Sequence, residues 1–142
     1  MKAYLDSSYL VSMYAPDVHS PVTALQMAKF NGSRLLSSLG ELEFLNALEL
    51  RVFRKQLSRQ QVDAARSVFE NDVQRGVFII FELDSEAFAR ATKLISQTTA
   101  VLGCRTADIL HVAAALEAKV DRFFTFDQRQ KAVAQRAKLK TN

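Results

Sequence analysis

Short apolar segments alternate with longer amphipathic segments along this chain, and this alternation restricts the folds that it can adopt. The predicted strands are Lys2–Leu5, Leu35–Leu36, Val77–Phe81 and Arg122–Phe126. Val77–Phe81 is apolar at every position, which is typical of a strand covered on both faces. Strands that alternate with helical patterns favour a parallel sheet with helices packed against it. We therefore predict an α/β sandwich with a mostly parallel, short-stranded sheet flanked by helices.

Capping signals mark the predicted helices between these strands. Ser38 with Glu41, and Ser58 with Gln61, fit the capping box, in which a Ser and a Glu or Gln three residues later satisfy two helix N–H groups. The first helix is predicted to open at Ser7, and the others cover about 18–31, 38–55, 58–76, 84–100, 106–118 and 128–138. A final edge strand near residues 139–140 is expected to be rudimentary.

Length and cysteine content restrict the class of protein further. The 142 residues suffice for one compact domain, so residues 1–142 are predicted to form a single unit. The only cysteine, Cys104, excludes an internal disulfide framework and favours a reducing, cytoplasmic compartment. No apolar run reaches the roughly 18 residues of a membrane span, and no signal-peptide pattern is present, so we expect no membrane association.

The net charge of +4 is concentrated near the C-terminus. Residues 1–127 carry 14 basic and 15 acidic side chains, whereas residues 128–142 carry five basic side chains and no acid. The body of the protein is therefore not a generally basic nucleic-acid-binding surface. Small apolar residues alternate with the basic ones after residue 128, so one face of this segment is expected to pack while the other is solvated or meets phosphates.

Four acidic residues stand at positions where an isolated charge is costly. Asp6 and Asp127 directly follow predicted strands, and ligands of parallel sheets bind at the carboxyl ends of the strands. Asp108 lies in the first turn of a helix with an apolar stripe, and Glu43 is predicted to lie beside another. The residues predicted to share the face of Glu43 are Leu39, Leu42, Asn46 and Leu50. A charge beside a buried stripe costs several kcal/mol unless it is paired or bound to a cation.

Helix capping is an alternative role for three of these acids. Asp6, Asp108 and Asp127 each occupy a position where a carboxylate caps a helix or meets its positive end. Glu43 is harder to explain in this way, because Glu41 already serves the predicted capping box. Four acids that converge on one sheet edge would repel one another, and a hard cation relieves that repulsion. A set of ligands rich in carboxylate and poor in His and Cys favours Mg²⁺ or Mn²⁺ over Zn²⁺.

Four short motifs in this chain resemble those of PIN domains, and the likeness is strongest to VapC-type toxins of toxin–antitoxin pairs. The motifs are Tyr4-Leu5-Asp6-Ser7-Ser8, Ser37-Ser38-Leu39 leading to Glu43, the run from Arg105 through Asp108 to Ala115, and Phe124-Thr125-Phe126-Asp127. The resemblance covers nearly the whole chain, and the third motif is its most specific part. It implies a single PIN-like three-layer sandwich that acts as a metal-dependent endoribonuclease.

The resemblance also implies roles for the four acids. Asp6 and Asp108 would be the central ligands of one or two Mg²⁺ or Mn²⁺ ions, with Glu43 and Asp127 bound directly or through water. A metal ion lowers the pKa of a bound water and neutralises charge on the phosphate. Hydrolysis of this kind leaves a 5′-phosphate and a 3′-hydroxyl and needs neither the 2′-hydroxyl of the RNA nor a histidine general base.

Other residues of the motifs have supporting or ambiguous roles. Ser8 and Thr125 match family positions that hydrogen-bond to the acid cluster. Arg105 would contact a phosphate or form a structural salt bridge. His111, one turn after Asp108, is interpreted mainly as a packing residue, and His19 as a solvated one. The cluster Arg51, Arg54 and Lys55 either complements its helix dipole or contacts the RNA backbone.

The implied partners are an RNA substrate, a cognate antitoxin protein and a second copy of the chain in a homodimer. The first two predicted helices are the expected interface. The residues considered for that surface are Tyr9, Leu10, Met13, Tyr14 and Phe30, most of which core packing also explains. The alternative function is a non-catalytic RNA-binding or protein-interaction module on the same fold.

Overall fold

Strands and helices alternate along the chain nearly as the sequence patterns predict. The computed structural model describes residues 1–142. The strands are β1 (Lys2–Leu5), β2 (Ser33–Ser37), β3 (Phe78–Phe81), β4 (Arg122–Phe124) and β5 (Lys140–Thr141). The helices are α1 (Ser7–Tyr14), α2 (Ser20–Lys29), α3 (Ser38–Phe53), α4 (Arg59–Gln74), α5 (Ser85–Leu102), α6 (Thr106–Glu117) and α7 (Gln128–Arg136). Every predicted helix is present.

The five strands form one sheet in the order β3-β2-β1-β4-β5, and all neighbouring strands are parallel. Successive side chains of β1 point to opposite faces, so that Ala3 and Leu5 join one core and Tyr4 joins the other. Helices α1 to α4 cover the first face, and α5 to α7 cover the second. The predicted three-layer α/β sandwich is therefore confirmed.

The two cores differ in their side chains. The first is rich in aromatic rings, including Phe44 and Phe69, whose centroids lie 4.7 Å apart. In the second, the small side chains of Ala113, Ala114 and Ala115 let α6 lie buried against the sheet. The helix that carries Asp108 is consequently buried on most of its surface, which is more than the single apolar stripe predicted from its sequence.

The predicted capping residue of α3 is wrong by one position, although the helix does begin near Ser38 as predicted. The cap is Ser37, whose extended backbone ends β2 and whose Oγ accepts the Gly40 N–H at 3.0 Å. Ser38 is already helical, and Glu41 closes no capping box. The box predicted at Ser58 and Gln61 is present.

The buried face of α3 also differs from the prediction. Gly40, Phe44 and Leu48 face the core, whereas Leu42 is 67% and Leu50 38% exposed. The remaining residues predicted to line the buried stripe are the half-buried Leu39 and the exposed Asn46. The ring of Phe44 in the aromatic core decides which of two competing apolar stripes turns inward. Glu43 therefore lies on a partly exposed face and is not embedded beside a buried stripe.

The edges of the sheet correct two further expectations. Strand β3 is an edge strand, so that Ile79 is 53% exposed and the strand is not covered on both faces. Strand β4 ends at Phe124, three residues before Asp127, because Ser8 Oγ accepts the Phe126 N–H at 2.9 Å. The expected rudimentary edge strand is present as the two-residue β5.

Candidate functional site

Asp6 lies at the carboxyl end of the central strand β1, and its side chain is completely buried. Its Oδ1 accepts the Tyr9 N–H at 2.9 Å and so caps α1. The hydroxyl of Ser8 donates to Oδ1 at 2.8 Å, and the hydroxyl of Thr125 donates to Oδ2 at 2.9 Å. A carboxylate has about four acceptor sites, so three protein donors leave room for one further partner.

Burial dominates the electrostatics of Asp6. Loss of hydration raises the pKa of its carboxyl, although the charge of His111 and the hydrogen bonds from Tyr9, Ser8 and Thr125 act in the opposite direction. The charged form of Asp6 is therefore under-stabilised by the protein alone. A carboxylate in this condition gains more from a nearby cation than an exposed one does.

Thr125 links Asp6 to Asp127. Its hydroxyl donates to Asp6 and accepts the Asp127 N–H at 2.9 Å. Ser8 supports the same corner, since its Oγ contacts both Asp6 and the Phe126 N–H. The predicted supporting residues Ser8 and Thr125 thus do contact this carboxylate, and they connect the ends of β1 and β4.

Asp127 and Asp108 both cap helices, as the alternative interpretation requires. Asp127 Oδ1 accepts the N–H groups of Arg129 and Gln130 at the start of α7, at 2.9 and 3.1 Å. Asp108 is 5% exposed, and its Oδ2 accepts the Arg105 N–H at 2.9 Å. In each residue the second carboxylate oxygen accepts no hydrogen bond from the protein, so capping leaves one oxygen available for a ligand.

Glu43 ends a buried chain of hydrogen bonds that the sequence did not reveal. Ser37 Oγ contacts Tyr4 Oη at 2.6 Å, and Tyr4 Oη contacts His111 Nδ1 at 2.7 Å. His111 Nε2 in turn contacts Glu43 Oε1. Tyr4 and His111 are both fully buried, and burial raises the pKa of the tyrosine hydroxyl well above its ordinary value. This series of hydrogen bonds orients Glu43 through residues of β1, β2 and α6.

The interpretation of His111 as a packing residue is therefore incomplete. It is a core residue, but it also holds Glu43 in place. The spacing of three residues from Asp108 is the one signal in the sequence, because it places both side chains one turn apart on α6. Its partner Tyr4 is 107 residues away, and no local pattern predicts that contact.

The donor chemistry of this edge suits a hard divalent cation. All four residues offer carboxylate oxygens, and those are the ligands that Mg²⁺ and Mn²⁺ prefer. No group of three or more His, Cys, Asp or Glu side chains lies close enough together to hold a metal ion. A cation bound by all four acids would have to bring them closer together. Its positive charge would offset the repulsion between the carboxylates.

A polar cavity of about 410 Å³ borders Asp127. Its walls include Arg51 and Arg54 from the end of α3 and His19 from the loop before α2. Arg51 Nη2 pairs with Asp17 Oδ2 at 3.2 Å, whereas Arg54 takes part in no ion pair. Of the predicted basic cluster, Arg51 is neutralised and Arg54 is unpaired beside the site, whereas the exposed Lys55 does not line this cavity.

Two further predictions, for Arg105 and for the basic C-terminal segment, have clear outcomes. Arg105 is exposed and forms no ion pair, so its interpretation as a structural salt bridge is wrong. Partial burial, with Asp108 nearby, raises the pKa of the half-buried Cys104 thiol, which disfavours the thiolate that a nucleophilic cysteine needs. In α7, Val133 and Ala134 are buried while Arg129 and Arg136 are exposed, so the basic segment packs one face as predicted.

The fold and the motif acids together define a class of protein. Residues 3–136 match the family model described as the PIN domain. The chain therefore belongs to the PIN domain family. PIN domains are generally nucleases, and PIN-domain toxins of the VapC type generally use divalent metals. A search of curated protein sequences finds no significant match.

Solved structures with this fold include VapC toxins and toxin–antitoxin complexes. VapC20 of Mycobacterium tuberculosis, a sarcin–ricin loop cleaving toxin, has a TM-score of 0.71 and 13% identity over 92% of this chain and 93% of that one. VapBC2 of Rickettsia felis, bound to a promoter DNA fragment, has a TM-score of 0.67 and 15% identity over 100% and 98%. A toxin–antitoxin complex from Klebsiella pneumoniae has a TM-score of 0.64 and 12% identity over 92% and 90%. At these identities the likeness establishes the shared fold.

None of the seven helices is both long enough and apolar enough to cross a membrane.

Proposed function

We propose that this protein is a metal-dependent endoribonuclease and the toxin of a toxin–antitoxin pair. The observation that carries the proposal is Asp6, a buried and under-stabilised carboxylate joined through Thr125 to Asp127 at the carboxyl edge of a PIN-domain sheet. Glu43 and Asp108 complete the set of acids that the family motifs specify. The unpaired oxygens of Asp108 and Asp127 leave both residues able to ligate a cation while they cap their helices.

In this proposal Asp6 and Asp108 are the central ligands of one or two Mg²⁺ or Mn²⁺ ions, and Glu43 and Asp127 complete the site directly or through water. When bound, the ion supplies a Lewis acid for water and phosphate oxygens. Ser8 and Thr125 fix Asp6, and His111 orients Glu43 from a position that no substrate can reach. No histidine acts as general base.

In this proposal, arginines around the site attract the phosphates of the RNA. Arg105 is exposed at the start of α6, three residues before Asp108, and Arg54 faces the cavity beside Asp127. Neither forms an ion pair within the protein. Each is therefore free to contact a phosphate.

The test is RNA cleavage by the purified protein with Mn²⁺, with Mg²⁺ and with excess EDTA. We expect cleavage with either metal, none with EDTA, and products that carry 5′-phosphates. Asp108→Asn should be inactive with unchanged circular dichroism. The matched control is Asp121→Asn at the opposite, amino edge of the sheet, and it should retain full activity. EDTA-resistant cleavage that persists in Asp108→Asn would overturn the proposal.

The antitoxin partner is proposed from the family and from the neighbouring structure described as a toxin–antitoxin complex. Tyr9, Leu10 and Phe30 are buried in the core and so offer no docking surface. Met13 and Tyr14 line a groove of about 340 Å³ between α1 and α2, which keeps these helices as the proposed interface with the antitoxin or with a second copy. A homodimer is expected at that surface, in a cytoplasmic protein.

Expression with and without the neighbouring antitoxin gene tests this assignment. Growth should stop only without the antitoxin, and mapped RNA 5′ ends should show discrete cuts that vanish in the Asp108→Asn variant. Light scattering of the purified toxin measures whether it is a dimer. Growth that is unaffected by expression of the toxin alone would contradict the toxin assignment.

A non-catalytic RNA-binding or interaction module is the second candidate, because no three acids form a closed group for a metal ion. Calorimetric titration with Mn²⁺ separates the two. The nuclease should bind Mn²⁺ in a way that Asp108→Asn abolishes, whereas the module should show no binding that depends on these carboxylates.

A further inference from the structure

Three aromatic rings form a column that leads from the core to the surface beside Asp127. Tyr9 is fully buried, and its ring stacks on Phe126 with centroids 5.1 Å apart and planes 13° from parallel. Phe126 is half-buried and stacks on His19 with centroids 4.1 Å apart and planes 6° from parallel. His19 is exposed, so the last ring of the column reaches solvent. The prediction that His19 is simply a solvated residue therefore missed this stacking.

The orientation of His19 is fixed without the help of its ring nitrogens. Its side chain makes no capping hydrogen bond at the start of α2, and its backbone N–H donates to Asp17 Oδ1 at 2.8 Å. Asp17 is itself held by Ser12 and Arg51. The loop is thus anchored through Asp17, and the imidazole is a preorganised flat surface that loses little freedom when a ligand stacks on it.

The surroundings of this ring favour one class of ligand. His19 and Phe126 line the cavity beside Asp127, where only four of the twelve lining residues are hydrophobic. An apolar peptide helix would find few partners there. Arg54 supplies an unpaired positive charge, and the hydroxyl of the half-buried Ser7 supplies a hydrogen-bonding group. A planar ring with an attached sugar and anionic group matches this set, and nucleotides have that composition.

We propose that the exposed face of His19 stacks against a nucleobase of a single-stranded RNA, while Arg54 contacts a phosphate of the same strand. Aromatic platforms of this kind accept any base, because every base has a π-face. The site would hold a nucleotide next to Asp127 and so help to position the strand at the acids. This inference rests on the proposed ribonuclease function for the nature of the ligand, but the stacking itself needs no metal.

The test uses single-stranded RNA octamers of adenosine that contain one 2-aminopurine or one abasic residue at each position in turn, with EDTA present. We expect 2-aminopurine fluorescence to be quenched at one position and an abasic residue there to weaken binding. His19→Ala should remove that quenching and weaken binding at least about fivefold. In that variant the abasic substitution should have no further effect, because the base has already lost its partner.

Two controls separate stacking from folding. His19→Phe keeps a flat ring and should retain both the quenching and the dependence on the base. Phe88→Ala removes an exposed aromatic residue from α5, on the other face of the sheet, and should bind as the wild type does. If His19→Ala weakened binding only through a general loss of structure, the variant would bind RNA with lower affinity but would still be sensitive to the abasic residue. That result would overturn the proposal.

The outcomes also separate this inference from the proposed function. Metal-dependent cleavage by a wild-type protein that shows no quenching at any position would overturn the stacking site and leave the nuclease in place. Quenching that depends on His19, in a protein that cleaves no RNA under any metal condition, would support the stacking site and overturn the nuclease.

Discussion

The candidate site has a closed half and an open half, and one of the two histidines lies in each. In the closed half, His111 is fully buried and both its ring nitrogens have partners, Tyr4 and Glu43. In the open half, His19 is exposed, and its ring has Phe126 on one side only. The closed half consists of Tyr4, Asp6, Glu43 and His111, and the open half is the cavity beside Asp127.

The two halves therefore differ in role. The closed half fixes the positions of side chains, whereas the open half has groups that are free to bind a ligand. A buried polar group needs its partners within the protein, so every hydroxyl and ring nitrogen of the closed half is used to fix another residue. The open half keeps one ring face and the Arg54 guanidinium without protein partners. The closed half should therefore respond to substitution with loss of stability or chemistry, and the open half with loss of affinity.

The largest expected effect comes from Asp6→Asn in the closed half. Partners that merely support a metal ligand cost about 10- to 100-fold when removed, so if Asp6 is the central ligand that we propose, its loss should reduce RNA cleavage by more than about 100-fold. The amide keeps the oxygen that caps α1, and a neutral group suits a site where burial raises the pKa of the carboxyl. Circular dichroism should be unchanged while cleavage rates fall. Cleavage at the wild-type rate would remove Asp6 from the chemistry.

Tyr4→Phe should cost the closed half stability without changing its volume. The substitution leaves His111 Nδ1 without a partner and removes one partner of Ser37 Oγ, which costs about 1–3 kcal/mol in a buried site. Urea unfolding measures the loss.

Tyr9→Phe is the matched control for that variant. Its hydroxyl donates to Gln26, which is half-buried, so that water can replace the lost bond and the cost should stay at about 1 kcal/mol or less. Equal losses in the two variants would mean that the Tyr4–His111 link contributes nothing special.

Arg54→Ala should weaken RNA binding in the open half and leave unfolding unchanged. Loss of the proposed phosphate contact should lower the slope of log affinity against log salt concentration by about 0.7. The control is Arg66→Ala, which removes the same charge from an exposed ion pair with Glu70 on α4. A slope that is equal in the two variants would show that Arg54 acts only through net charge.

The smallest expected effects are opposite pH dependences of Asp17 and Asp6, measured by urea unfolding in EDTA. Partial burial raises the pKa of Asp17, but hydrogen bonds from Ser12, the His19 N–H and Arg51 outweigh it, so the pKa is lowered. Its stabilising contribution is therefore present above the unfolded pKa of about 4 and is lost as the pH falls through the folded value. Asp17→Asn should lack this loss.

Asp6 should behave in the reverse way, because burial raises the pKa of its carboxyl. Its folded form binds the proton more tightly than the unfolded form, so its destabilising contribution is complete above the raised pKa. That contribution disappears as the pH falls towards about 4. Any stability that Asp6→Asn gains over the wild type should therefore shrink as the pH falls. A gain that grows on acidification would contradict the burial argument.

The sequence predicted the elements well and the choice between competing contacts poorly. The strands, the helices and the position of Asp6 directly after β1 follow from local patterns and are found, whereas β4 ends three residues before Asp127. In α3, however, apolar residues recur at helical spacing on two stripes, and Phe44 and Leu48 were buried while Leu42 and Leu50 were left exposed. Periodicity alone cannot rank two such stripes, since the decision lies with the aromatic core that receives them.

The sequence by itself determined a parallel three-layer fold of the PIN family, with Asp6, Glu43, Asp108 and Asp127 as its candidate site. Backbone periodicity and motif spacing are local properties, so they can be recognised along the chain. Only the tertiary structure decided that His111 fixes Glu43 through a buried link to Tyr4, and that His19 stacks on Phe126. Those contacts join residues that lie far apart along the chain, and their geometry is set by how whole elements pack.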